Sequence, residues 1–159
     1  MTTTAVRPSR AVPRRDQDVM NLWVDIAPRP ADGTAGRASA HYVGVLRRIA
    51  AAQVRYAGLG ALTDEVMLLV SELVTNAVLH SGTRKIGLEM AVKDGFLNIA
   101  VIDGMPGVAT PKEADEDEES GRGLALVQMV VKERGGNWGT RDAGATTWCR
   151  LAVPEGAEE

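Results

Sequence analysis

Glu72, Asn76 and His80 recur at intervals of four residues, so on a helix their side chains form one slowly drifting polar stripe. A carboxylate followed one turn later by an amide suits two tasks: accepting a proton, and offering oxygen to a hard cation. The opposite side, Val66, Val70, Leu73, Val74 and Ala77, is apolar throughout and reads as core. Two readings of the stripe stay open. It could be an ordinary solvent face, or a partly enclosed site, since it lacks the Lys and Arg of a typical exposed face and has Leu68 and Leu79 beside it. His80 alone reads better as a helix-end or structural histidine than as a catalytic base, because nothing nearby in sequence orients it.

Two further places could carry chemistry. Asp103 ends an alternating apolar run, just before a stretch rich in glycine and proline. A carboxylate there can point into a cleft as a hydrogen-bond acceptor, or simply cap a turn. Gly121-Arg122-Gly123 precedes the periodic run from Leu124. Glycines at a helix start let backbone N–H groups approach a phosphate, and the helix N-terminus adds positive potential. Taken alone, a Gly-x-Gly is a weak signal. Its meaning comes from following, in this order, a carboxylate and amide on one helix, a strand-end Asp and a long loop.

The elements that must position these residues are legible from periodicity. Residues 19–26 read as a first strand, stopped by Pro28-Arg29-Pro30. From Arg37, Tyr42, Val45, Leu46, Ile49, Ala52 and Tyr56 recur at helical spacing, with Gly58 and Gly60 as the stop. A second helix begins after Thr63, a candidate N-cap with Asp64 and Glu65 in the first turn, and runs to about His80 before Ser81-Gly82. The period then changes to two. Ile86, Leu88, Met90 and Val92, the Asp94-Gly95 turn, then Leu97, Ile99 and Val101 predict an antiparallel hairpin.

Residues 103–120 carry Gly104, Pro106, Gly107 and Pro111, then the acidic run from Glu113 to Glu119, and predict a long loop of the kind that serves as a lid or binding loop. Like charge near a phosphate is unfavourable, so the acidic run is expected to face outward as a mobile lid surface, with a basic partner surface as the alternative. A third helix over 124–134 has Leu124, Val127, Val130 and Val131 on one face and ends at Gly135-Gly136. Two final strands, 137–141 and 146–153, are joined by Asp142-Ala143-Gly144. The expected fold class is α+β: a two-layer α/β sandwich with helices on one face of a mixed, mostly antiparallel sheet.

Composition narrows the function classes. At 159 residues with 45% hydrophobic content, the chain can build one core without disulfides or metal. Residues 1–16, with Arg7, Arg10, Arg14 and Arg15 and no apolar periodicity, read as a disordered basic tail, residues 17–155 as a single domain, and 156–159 as a short tail. A net charge of -3 supplies no overall field toward nucleic acid or anionic membrane. Cys149 is the single cysteine and sits in an apolar run, so it is expected in the core, and its solitude fits a reducing, cytoplasmic location. No apolar stretch reaches the roughly 20 residues that span a bilayer, so no membrane association is expected.

The three clusters together resemble the ATP-binding fold shared by type II topoisomerases, sensor histidine kinases and bacterial anti-sigma factor serine kinases, the Bergerat-type fold. Ser71-Glu72-Leu73-Val74-Thr75-Asn76-Ala77-Val78 with His80 is similar to its first motif, Asp103 to Gly107 to its second, and Gly121-Arg122-Gly123-Leu124-Ala125-Leu126-Val127 to its third. The resemblance spans about residues 37–153 and is strongest to the short anti-sigma regulatory kinases, including the strand Gly144-Ala145-Thr146-Thr147-Trp148. The second motif departs from Asp-x-Gly-x-Gly, because Met105 and Pro106 stand between Gly104 and Gly107.

This resemblance implies that Asn76 ligates the Mg2+ that bridges the ATP phosphates and that Asp103 accepts a hydrogen bond from the adenine amino group, supported by Thr146. It implies a nucleotide site completed by Gly107, Gly121, Gly123 and Leu124, with Arg122 either assisting at the phosphates or lying on the surface. Glu72 is then the general base for a seryl hydroxyl of an anti-anti-sigma protein, which competes with a sigma factor for the same homodimeric regulator, and no direct contact with nucleic acid is implied. A nucleotide-gated binding module that sequesters partners without phosphotransfer is the alternative. A detached histidine-kinase module fits less well, since His41 is the sole phosphoacceptor candidate in the N-terminal 60 residues.

Overall fold

The computed structural model describes residues 16–26, 35–80, 84–104 and 118–154, with side chains described for 16–26, 40–79, 84–104 and 123–154. All of the expected tail at 1–16 except Asp16, the tail at 156–159, Gly107, and the acidic residues 113–117 lie outside the described residues. The elements run β1 (Gln17–Asp25), α1 (Ala35–Tyr56), a short 3-10 turn (Gly60–Leu62), α2 (Thr63–His80), β2 (Lys85–Lys93), β3 (Phe96–Ile102), α3 (Glu118–Glu133), β4 (Asn137–Arg141) and β5 (Thr146–Ala152).

The five strands form one sheet in the order β1-β2-β3-β5-β4. Every pairing among the described residues is antiparallel. Asp94 and Gly95 both adopt positive φ, 54° and 83°, the two-residue turn geometry whose twist matches the flanking strands. Alternation then sorts the side chains. Ile86, Leu88, Met90 and Val92 of β2, Leu97, Ile99 and Val101 of β3, and Cys149 and Leu151 of β5 are buried on one face, under the layer made by the three helices. Each large aliphatic side chain so buried contributes on the order of 2 kcal/mol.

α2 lies at the centre of that layer. Its Val66, Leu69, Val70, Leu73, Val74 and Ala77 are buried, which leaves the stripe through Glu72 and Asn76 on the side turned from the sheet. α1 buries Val43, Leu46, Ala50 and Val54. Of the expected stripe through Tyr42, Val45, Leu46, Ile49, Ala52 and Tyr56, Leu46 is buried and Tyr42 and Ile49 pack against the core, whereas Ala52 and Tyr56 are exposed, Tyr56 at 91%. Alanines on several sides of α1 leave two apolar stripes in its sequence, and the one presenting small Ala50 and Ala51 permits close approach of the helices.

Both long helix ends are closed by glycine. At α1, Gly58 has φ 82°, Leu59 N donates to Val54 O (2.9 Å) and Gly58 N to Arg55 O (3.0 Å). At α3, Gly135 has φ 71°, Gly136 N donates to Val131 O (2.7 Å) and Gly135 N to Lys132 O (3.1 Å). These paired bonds satisfy carbonyls that a helix end otherwise leaves open. The Thr63 hydroxyl donates to Gly60 O (2.7 Å), which ties α2 to the preceding turn.

α3 starts earlier than its apolar period indicates. It includes Glu118, Glu119 and Ser120, residues expected in the loop, so Gly121-Arg122-Gly123-Leu124 lies inside the helix instead of opening it.

Candidate functional site

The site is assembled from α2, α3 and the end of β3. On α2, Glu72 and Asn76 are both half-buried, as are Leu68, Thr75 and Leu79 around them. The stripe is therefore partly enclosed and not a free solvent face. His80 is the last residue of α2, and its side chain lies outside the described residues.

α3 encloses one side of the stripe. Leu124, Val127 and Val131 are buried, and Gly123 faces α2 so closely that a Cβ built on it would overlap Oε1 of Glu72 and stand 3.5 Å from its Cδ. The side chains of Gly121 and Arg122 positions lie outside the described residues. The α2–α3 contact is pinned at its far end by Arg134, whose Nε donates to Glu65 Oε2 (3.0 Å) while Nη2 bonds the same oxygen. Arg134 also uses its carbonyl to accept from Ala152 N (2.9 Å), so one residue ties α3 to both α2 and β5. On the other side, Arg47 of α1 donates from Nη1 to Ser71 Oγ (3.3 Å), and Ser71 Oγ donates to Met67 O (2.7 Å). Neither arginine stands out in the sequence, because an isolated Arg on a helix is ordinarily a surface residue.

Asp103 follows β3 directly and is half-buried. Its backbone is fixed: Asp103 N and Gly104 N both donate to Ala145 O, at 2.9 and 3.3 Å, and Gly104 has φ 70°. The residue continues the alternation of Leu97, Ile99 and Val101, which face the helices. Thr146 pairs with Ile102 and Thr147 with Val101. The register therefore turns Thr146 toward the outer face of the sheet, where its hydroxyl donates to Asp142 Oδ2 (3.4 Å). Thr147, buried like Thr146, shares the helix-facing side with Asp103. Counting back by twos from the apolar Leu151 and Cys149 is the sequence signal that reaches Thr147.

The sequence profile of the histidine kinase-like ATPase domain matches residues 36–151, well over half of the 159-residue chain. The protein belongs to this family. The matched span of the histidine kinase-like ATPase domain begins in α1 and ends in β5, so β1 is the one described strand outside it. No curated protein gives a significant match. The α+β sandwich is the architecture that membership leads one to expect, and it carries ATP binding as the general function implied by the family.

Among the described residues, no group of three or more His, Cys, Asp or Glu is gathered to hold a metal unaided, and no helix is long and apolar enough to cross a membrane. A separate groove of about 350 Å³ lies on the outer face of the sheet, lined by Glu89, Asn98, Arg141, Trp148 and Arg150. It contains none of the residues expected at the nucleotide site. Arg150 is already engaged there, donating from Nε to Asn137 Oδ1 (2.7 Å) and stacking over Phe96 at 4.4 Å.

Proposed function

We propose that this ATPase-family domain binds Mg-ATP between α2, α3 and the end of β3, and phosphorylates a seryl hydroxyl of an anti-anti-sigma antagonist protein. The observation that carries the reading is the pair on α2: a half-buried carboxylate, Glu72, one helical turn before a half-buried amide, Asn76. Asn76 offers one hard oxygen. Mg2+ characteristically takes one or two protein oxygens and completes its shell with phosphate and water, which fits a site with a single amide donor and no carboxylate cage. When bound, the ion supplies charge neutralisation at the phosphates.

In the proposed transfer, the Glu72 carboxylate accepts the proton of the seryl hydroxyl as the seryl oxygen bonds to the γ-phosphorus. The bond from that phosphorus to the β–γ bridging oxygen breaks, its electron pair leaving with ADP. Asp103, at the strand end, takes the adenine amino group as donor, and Thr147 supports it from β5. Leu124, buried at 2%, forms part of the apolar floor beneath α3. Gly121, Gly123 and, beyond the described residues, Gly107 are inferred to border the phosphates, with Arg122 beside them. A homodimer that trades a sigma factor for its antagonist is the regulatory setting we infer.

The test is transfer from γ-labelled ATP to candidate antagonists, comparing wild type with Glu72→Ala and Asn76→Ala. Label transferred by wild type and lost in both variants supports the kinase. ATP binding without transfer to any serine assigns the chain to nucleotide-gated partner binding instead.

A further inference from the structure

We propose that Gly123 is a positioning residue for the Glu72 carboxylate, its missing side chain forming the notch in which that carboxylate sits. The inference rests on the reading of Glu72 as the general base. Gly123 is buried within α3, five residues past its first residue, Glu118. It is not among the residues with positive φ, so its backbone conformation does not call for glycine. Helix propensity argues against glycine there, since an interior glycine weakens a helix relative to alanine. What calls for it is space. The three heavy atoms nearest to a Cβ on Gly123 all belong to Glu72: Oε1, then Cδ at 3.5 Å and Cβ at 3.9 Å.

A comparison with Gly136 separates this from ordinary packing. A Cβ on Gly136 would run into the Arg150 carbonyl and come within 3.3 Å of Leu151 Cα, which are backbone atoms that cannot yield without moving β5. At Gly123 the obstacle is the end of a flexible side chain. Alanine at 123 therefore leaves the fold intact and displaces the carboxylate alone. The α2–α3 contact is held independently by Arg134 and Glu65, so the helices keep their spacing while Glu72 adopts another rotamer. A base must stand within hydrogen-bond reach of the hydroxyl it deprotonates, and a misplacement of about 1 Å costs up to 10²-fold in rate.

The experiment uses the full chain. Gly123→Ala is expected to melt at or above the wild-type temperature and to lose 10- to 100-fold in kcat for seryl transfer at saturating ATP. Wild-type kcat in Gly123→Ala overturns the proposal. The seat is read without any activity from the carboxyl carbon resonance of Glu72 in 13C-labelled protein, assigned by its loss in Glu72→Gln. Movement of that resonance in Gly123→Ala supports the notch, and an unmoved resonance overturns it. A wild type that transfers no phosphate while the resonance still moves sinks the kinase reading and leaves the seat standing.

Discussion

Thr147 of β5 stands directly opposite Val101 of β3, on the helix-facing side of the sheet and two residues before Asp103. Thr146 faces the other way and spends its hydroxyl on Asp142. A hydroxyl that supports Asp103 in adenine recognition is therefore expected at 147. Thr147→Val should weaken ATP binding about five- to tenfold, the equivalent of one hydrogen bond of about 1 kcal/mol. Thr146→Val should leave affinity within twofold. Calorimetric titration of both variants checks this, and the reverse ranking would assign the support to Thr146.

Asn76 and Glu72 share a stripe but are expected to separate in function. If Asn76 holds Mg2+ as proposed, Asn76→Ala should abolish Mg-dependent ATP binding. Glu72→Ala should leave it largely intact while removing transfer, because a base contributes to the transition state and not to ground-state nucleotide contacts. Nucleotide affinity measured with and without Mg2+ distinguishes the two. Unchanged affinity in Asn76→Ala would move the metal site off α2.

How much of this was legible in the sequence follows from the range of the interaction that decides each feature. The hairpin at Asp94-Gly95 is local chemistry, and the alternation around it reads directly. The stripe of Glu72 and Asn76 is local too, set by helical spacing and an apolar opposite face. The buried side of α1 was legible only in part, at Leu46, Tyr42 and Ile49. Its sequence offers two apolar stripes, and the choice between them depends on where α2 lies. Glycines at 121 and 123 read as a turn, so the sequence signals a later start for α3, whereas the helix runs through them from Glu118. The role of Gly123 is beyond any local reading, since the notch exists only when α2 and α3 come together. Thr147 was within reach of strand alternation.

The β4–β5 turn carries strain that a substitution should relieve. Asp142 and Ala143 both have φ 58°, and Ala143 is exposed with no side-chain packing to lose. The left-handed conformation costs a Cβ-bearing residue roughly 1–2 kcal/mol, and an added glycine costs roughly 0.4–1 kcal/mol through the unfolded chain. Ala143→Gly is expected to stabilise by about 0.5–1 kcal/mol and raise Tm by about 1–4 °C, read by thermal melting. Asp142 should not respond in the same way, because its carboxylate receives the Thr146 hydroxyl.

Cys149 gives the fold an alkaline limit. Its side chain is fully buried between Ile99 of β3 and Trp138 of β4 in register, and burial pushes the thiol from 9.0 up to about 12. The unfolded chain therefore gives up this proton first as pH rises. The stabilisation is complete below pH 9 and is lost between 9 and about 12, at about 1.4 kcal/mol per pH unit. Cys149→Ala is expected to start less stable, by about 1–2 kcal/mol for the lost packing, and to lose stability less steeply above pH 9. Urea unfolding at pH 8 and pH 10 should therefore show the gap between the two proteins narrowing by roughly 1 kcal/mol. The same burial predicts the kinetics of labelling: at pH 8 a thiol reagent should modify Cys149 only as fast as the native sheet opens. Modification at the rate of an exposed thiol would place Cys149 outside the core.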